Sequence, residues 1–449
     1  MIRMIRRLFG HTKSLFSKER RDMEQEQKTG RSVAIVGAGQ AGLLLGCALL
    51  ERGYKVTMVT NRTAEEVWNG RVMSSQCMFD PALQIERDWG MNQWEAPCPD
   101  IEGLSVSIPA PDGSGNKAIH WASRLNAVAQ SVDQRVKMPG WMAEFERRGG
   151  ELIIENVGVP ELERLAAAHE LVLLAGGKGE IVNLFPRNEA RSPIRQPMRQ
   201  LALSYVTGMK RHDYHECVNF NLIPGVGEYF VFPALTTKGE KDTQACDIMV
   251  FEGVPGGPMD CWGDVKTPEE HLEKSLEVLK TFVPWEYERC RDVQLTDDNG
   301  RLAGRVTPMV RNAVLSLPSG RQVMGLGDAI LVNDPITGQG SNNATKSAKH
   351  YFDAIVARGN QSFDSDWMTR TFDDLYNGYA EPVVRWTNSL LFPPPEHIVK
   401  LLGAAQQAPA LAARIANGFN DPRDFKDFWF DAAATDRLIA QSMQAQAVA

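Results

Sequence analysis

The chain has 449 residues, 43% hydrophobic and 23% charged, an ordinary globular composition with room for two domains and sizeable cores. Its net charge of −7 is uneven, since residues 1–22 hold seven Lys/Arg against two acids and leave the remainder at −12. An acidic body argues against nucleic acid as the main partner, and seven scattered cysteines without a C-x-x-C pair argue against a disulfide framework or a structural zinc. A reducing cytoplasm fits such thiols, and no metal site is expected.

Residues 1–31 read as a basic, disordered N-terminal arm. The stretch MIRMIRRLFGHTKSLFSKERRD also suits a membrane-surface helix, a targeting segment, or an upstream start with Met23 as the beginning. SVAIVGAGQAGLLLGCALL, residues 32–50, is apolar over the length of a membrane span. Gly37, Gly39, Gly42 and Gly46 inside it favour a buried strand, a tight turn and a buried helix instead. No membrane span is therefore expected.

The run VAIVGAGQAGLLLGCALLERGYKVTMVT predicts strand, turn, helix and strand, a βαβ unit. Gly37, Gly39, Gln40, Ala41 and Gly42 belong to a G-x-G-x-x-G fingerprint in the required context. Gly37 permits the turn, Gly39 lets a pyrophosphate approach the backbone, and Gly42 lets the helix pack on the sheet. The helix N-terminus offers N–H donors to the phosphates. The second strand ends on Asn61 and Arg62, where an acidic residue would normally accept from a ribose. Asn can still accept, and Arg62 could favour a phosphate. RVMSSQCM, residues 71–78, follows with neither a carboxylate nor a histidine.

ELIIEN, VPELERLAAAHE and LVLLAGGKG, within 151–179, predict a strand, a helix and a strand ending in a Gly turn at Gly176. Residues 185–320 become β-rich, with one Glu/Lys-paired helix in TPEEHLEKSLEVLKTFVP. His212 and His215 in RHDYHEC are two ligands too few for a metal and read as a solvated loop. The α/β pattern returns at 321–362, where Asp328 ends a strand and DPITGQG leads to a helix starting near Ser341. A dinucleotide carrying a flavin needs this second anchor, because its ribityl chain and ring reach beyond the first turn. From 363 to 449 the chain reads as helical. The expected division is 1–31 arm, 32–184 first FAD-binding segments, 185–320 β-rich substrate domain, 321–362 returning FAD-binding segment and 363–449 helical region. The fold class is α/β.

GAGQAG, GLGD, DPITGQG and RWTN (385–388) resemble the flavoprotein monooxygenases with the glutathione-reductase-type, Rossmann-like FAD fold, and within them the styrene and indole monooxygenases. The likeness runs from about residue 32 to about 430. It implies that Asp328 binds the ribityl chain and that Pro335, Gly338, Gln339, Gly340 and Ser341 lie against the isoalloxazine. Single-component hydroxylases carry an Asp where this chain has AGGKG. The resemblance therefore implies a two-component enzyme, receiving FADH2 from a separate NADH-dependent flavin reductase and using O2 through a C4a-hydroperoxyflavin.

Such chemistry on an aromatic alkene or indole needs no general base, which answers to the character of RVMSSQCM. Indole-type members resemble this chain at Ser74, Gln76 and Met78, with Ile101, Leu104 and Ala129 as further substrate-pocket positions. Gln76 or Ser74 could accept from an indole N–H. Arg71 is expected near the flavin, with no protein residue certain as the catalyst. Asp133 and Arg135 match a family V-D-x-R segment of unassigned role, and Trp386-Thr387-Asn388 read either as a pocket wall or as core packing. Indole epoxidation toward indoxyl and indigo is the expected activity. Its rivals are oxygenation of another electron-rich aromatic or a sulfide, and a non-catalytic binding protein of the same fold. A halogenase is disfavoured because no W-x-W-x-I-P stretch occurs.

Overall fold

The computed structural model describes residues 30–177 and 179–448. The expected basic arm falls, up to residue 29, outside the described residues. Two sheets organise the rest. The first has six strands in the order Val314–Ser316, Gln322–Gly325, Leu171–Leu174, Ser32–Val36, Lys55–Thr60 and Glu151–Ile154. Its strands are parallel except for the Val314–Ser316 edge, which pairs antiparallel. The α/β reading of the sequence matches this sheet.

The helix Gln40–Glu51 has Gln40 through Leu49 buried without interruption. It lies against the sheet, the helix Gly340–Arg358 and the helix Gln134–Arg147. A helix enclosed on every side has no polar face to spare, which is why residues 32–50 imitate a membrane segment. Among the described residues no helix is long and apolar enough to cross a membrane.

The second sheet has eight strands. Gln294–Leu295, Gln200–Thr207, Asp242–Gly253, Gly227–Lys238, Cys217–Ile223, Asp100–Pro109 and Lys117–Gln130 follow in order, with Arg301–Arg305 also pairing Gln200–Thr207. The pair Asp100–Pro109 and Lys117–Gln130 corrects the expected division. It lies within 32–184, yet it extends the second sheet through a parallel pairing with Cys217–Ile223. Nothing in the sequence of one hairpin says which distant edge it will join.

The C-terminal region is helical, with Ser365–Leu375, Glu381–Leu390, Glu396–Ala405, Pro409–Asn417 and Ala432–Val448. Ile398, Leu401, Leu411 and Ile415 from these helices share one apolar core with Val218, Phe220 and Phe230 of the second sheet. Trp386 stacks on Phe425 at 4.3 Å and is 1% exposed, so of its two readings it takes core packing. His212 is not in a solvated loop: it is half-buried, stacked on Tyr214 at 4.4 Å and 3.6 Å from Glu286. Burial pushes its imidazole pKa down to about 3.

Candidate functional site

A cavity of about 590 Å3 runs from the C-terminal ends of the parallel strands to one face of the second sheet. At its first end the backbone comes close. Gly37 has φ +115°, and a Cβ there would stand 2.8 Å from the Gly176 nitrogen. A Cβ on Gly42 would stand 2.2 Å from the Gly37 carbonyl oxygen, so Gly42 is a packing residue behind the turn and does not line the cavity. Gly39 is different, since a Cβ there would meet nothing within 4 Å. Its space is the cavity itself. Gly176 faces similar open space.

Two helix N-termini point into this end. The helix Gln40–Glu51 follows Gly39 and Gly340–Arg358 follows Gln339, and neither cap residue gives a side-chain hydrogen bond to the first turn. Their leading N–H groups remain for an anion or a polar ring edge. Gln40 is held from behind, its amide donating to Glu86 at 2.7 Å and Thr345 at 2.9 Å, and Glu86 is paired with buried Lys137 at 2.5 Å. Asn61, Arg62, Ala41 and Asp328 also line the cavity, as do Pro335, Gly338, Gly340 and Ser341. Asp328 lies over Gly177, whose added Cβ would meet the Asp328 Cβ at 3.2 Å. Gln339 does not line it. Its side chain is buried and donates to the Phe419 carbonyl at 3.0 Å.

At the other end the wall is apolar: Val218, Phe220, Phe230, Phe232 and Val250 from the second sheet, with Phe79 and Ile336. These five sheet residues were not expected from the sequence. Their signal was the alternation in VNFNLI and EYFVFP, because pairing of Phe220 with Phe230, and of Phe230 with Val250, puts alternate side chains on one face.

The RVMSSQCM segment spans the two ends and is pinned along its length. Val72 N–H donates to Asn299 O at 3.0 Å, and the Tyr205 hydroxyl donates to the Ser74 carbonyl at 3.0 Å. Asn342 of the helix Gly340–Arg358 donates to Cys77 O at 2.7 Å and accepts from Phe79 N–H at 2.9 Å. Met78 exchanges two backbone bonds with Gln130.

This arrangement places Met73, Ser74, Ser75, Cys77 and Phe79 on the cavity, and it leaves Gln76 and Met78 off it. Gln76 is 4% exposed, with weak contacts to Ser74 and a buried Oε1 that finds no donor. Met78 lines a small second recess with Gln130, Glu86 and Lys137. Ile101, Leu104 and Ala129 are buried in the apolar core and do not reach the cavity; Leu104 pairs with Val218, one strand behind the wall. Arg71 is exposed and also stands off the cavity. The cation lining it, among the described residues, is Arg62, which donates to the Met73 sulfur at 2.9 Å.

Asp133 and Arg135 form a structural clamp. Arg135 is 1% exposed, bonded to Asp133 at 2.9 Å and to both oxygens of Asp297 at 2.8 and 3.1 Å. It ties the start of helix Gln134–Arg147 to the loop that holds Val72. Thr387 bonds Thr337 of the cavity wall at 2.7 Å.

Residues 177–289 match the family model described as "Styrene monooxygenase A putative substrate binding domain". Styrene monooxygenase StyA of Pseudomonas fluorescens is 27% identical over 405 residues, covering 87% of this chain and 93% of that protein. The matched domain and this similarity over most of the chain support a flavoprotein of the styrene monooxygenase type. A second StyA, from a Pseudomonas species, aligns with the same identity over 404 residues. Among solved structures, the flavin-dependent brominase Bmp2 superimposes with a TM-score of 0.65 at 16% identity, covering 92% of this chain and 99% of that one. PqsL of Pseudomonas aeruginosa, solved with 2-aminobenzoylacetate, gives 0.60 at 15% identity, over 90% and 99%. These two share the fold. Together these likenesses support a flavin-dependent monooxygenase, with FAD as the cofactor implied.

The cavity fits that cofactor. Open space at Gly39 and Gly176, two helix N-termini without side-chain caps, and Asp328 between them meet the needs of a dinucleotide reaching two anchors.

Proposed function

We propose that this protein is the oxygenase of a two-component system. It takes FADH2 from a separate NADH-dependent flavin reductase and, with O2, epoxidises indole in preference to styrene-like alkenes. The observation that carries this reading is the contrast along one cavity. Phosphate-type anchors stand at one end, and the other has an apolar wall without a carboxylate or histidine. Cys77, the ionisable group there among the described residues, has its thiol pushed up by burial and is no base at neutral pH.

Gly37, Gly39, Gln40, Ala41, Asn61, Arg62, Gly176, Asp328 and the turn from Pro335 to Ser341 would hold FAD. Gly42 and Gln339 would act from behind it. Reduced FAD held there supplies the two electrons with which one atom of O2 enters a substrate π bond and the other leaves as water. The protein's part is to exclude water, hold the planar substrate against Phe220, Phe230, Phe232 and Val250, and leave its π bond facing the 335–338 turn. Ser74 and Ser75 line the cavity and offer hydroxyl acceptors to an indole N–H, a contact styrene cannot make. Of the two expected acceptors, Ser74 and Gln76, Ser74 therefore takes the specificity role.

The test is incubation of the purified chain with NADH, FAD and indole, with and without an unrelated flavin reductase. Blue pigment only when the reductase is present is the expected result. NADH-dependent turnover without it overturns the two-component reading. Good styrene oxidation with none of indole overturns the substrate reading alone.

A further inference from the structure

Behind the Pro335–Thr337 turn lies a group of buried carboxyls that the reaction above does not use. Asp334 is 0% exposed and caps the turn, its Oδ1 accepting from Ile336 N–H at 3.1 Å. Its partner comes from the second sheet. Glu252, also 0% exposed, stands two residues beyond the cavity residue Val250 on the strand Asp242–Gly253, so it shares Val250's face. The Glu252 and Asp334 carboxyl groups are within hydrogen-bonding reach of each other.

Glu228, the register partner of Glu252, adds a third acid. Arg199 answers it with two bonds, at 2.7 and 2.9 Å. The remaining Arg199 donors go to the carbonyls of Met198, Leu390 and Leu391. Thus the charged groups bearing on Glu252 and Asp334 are Glu228 and Arg199, which neutralise each other.

That leaves two carboxyls in a dry interior. Both Glu252 oxygens and the Asp334 Oδ2 are buried, and among the described residues none has a hydrogen-bond donor. Two ionised carboxylates in that position would be uncompensated charge, and at neutral pH proteins remove such charge by keeping a proton. One proton on Glu252 supplies the missing donor. Its O–H then reaches Asp334 Oδ2, while Asp334 Oδ1 keeps the Ile336 N–H.

We propose that Glu252 and Asp334 hold one proton between them at neutral pH, and that this protonated pair positions the 335–338 turn on the cofactor side of the cavity. Glu252 and Asp334 are positioning residues, acting through Pro335, Ile336, Thr337 and Gly338. The consequence for FAD rests on the functional reading above; the proton does not, and it can be read without cofactor. Burial raises both groups, Asp334 to about 6 and Glu252 well above the usual carboxylate range. The pair therefore keeps a proton that the unfolded chain has lost. Its contribution to stability is full below the ordinary carboxylate range, declines as pH rises through about 6, and keeps declining until the second proton leaves.

The experiment uses the full chain without cofactor. The infrared difference spectrum between wild type and Glu252→Gln at neutral pH should show the carbonyl stretch of a protonated carboxyl in the wild type alone. Should E252Q fail to fold, Asp334→Asn serves, because its amide donates to Glu252 and leaves that group ionised. In urea unfolding, the wild-type folding constant should fall relative to that of E252Q by about tenfold per pH unit between about pH 5 and pH 7. FAD affinity, measured separately by fluorescence, should survive in E252Q, which retains a donor, and fall about tenfold in Glu252→Ala. Absence of the infrared band, or parallel unfolding profiles, overturns the shared proton. A band with equal FAD affinity in E252Q and E252A overturns the positioning role. Normal pair behaviour in a protein that binds no FAD would instead defeat the functional reading and leave the proton in place.

Discussion

At the glycine end of the cavity much of the surface is backbone. Gly39 and Gly176 open onto empty space, Gly37 makes the tight turn with its N–H bonded to the Val59 carbonyl, and the Gln40 side chain is tied away from it. At the sheet end the surface is made of side chains, Phe220, Phe230 and Phe232 among them, whose backbone is committed to strand pairing. Backbone binds what is common to every turnover. Side chains, which can change without disturbing the ladder, would on the proposed reading hold the substrate. The two ends should accordingly fail in different ways when altered.

The sharpest break is predicted at Gly42. Gly42→Val places atoms where even a Cβ would be 2.2 Å from a backbone oxygen, and it should cost about 3 kcal/mol or more of stability together with FAD binding. Thermal unfolding and flavin titration would measure both. Gly39→Ala should separate the two properties. The added methyl meets no protein atom, so the cofactor-free midpoint should move by less than about 0.5 kcal/mol. FAD affinity should still fall about tenfold or more, roughly 1.4 kcal/mol, because the methyl occupies the approach to the phosphates. Equal loss of stability and affinity would erase the distinction between a packing glycine and a binding glycine.

At the sheet end, Val250→Phe should fill the slot and lower indole turnover by about tenfold while FAD affinity holds. A parallel loss of FAD would mean that the wall belongs to the cofactor. Ser74→Ala should lower the indole-to-styrene ratio in competition by about 2- to 10-fold, the loss of one hydrogen bond of about 0.5–1.5 kcal/mol. The smallest effect is expected from Gln76→Leu. Its Oε1 is buried without a donor, so replacement should leave that ratio unchanged and the melting temperature equal or slightly higher. A changed ratio would return Gln76 to the substrate.

This contrast also explains what could be read in advance. The glycine fingerprint was legible because a positive φ and a close helix crossing admit few other residues. The return loop was legible for a related reason, since Gly338 sits at φ +64° after a capped turn. The resemblance implies every second residue of 71–78, Ser74, Gln76 and Met78, as pocket positions. The structure has no regular strand there, only a single bridge between Met78 and Gln130, so the two-residue period does not hold and the cavity receives 73, 74, 75, 77 and 79. Arg71 was placed by its neighbourhood in sequence, and its side chain turns out toward solvent. The hairpin from 100 to 130 joined the second sheet through a pairing more than eighty residues away, which no local pattern encodes.

Asn342 grips the 71–79 segment through both edges of its amide, at Cys77 and at Phe79, from the first turn of the helix that follows the DPITGQG loop. The wall and that helix are thereby one inherited unit, not two exchangeable modules. A chimaera that imports residues 71–79 from a relative should keep its shape only when the residue at 342 travels with them, so recombination at this site has to be paired to succeed.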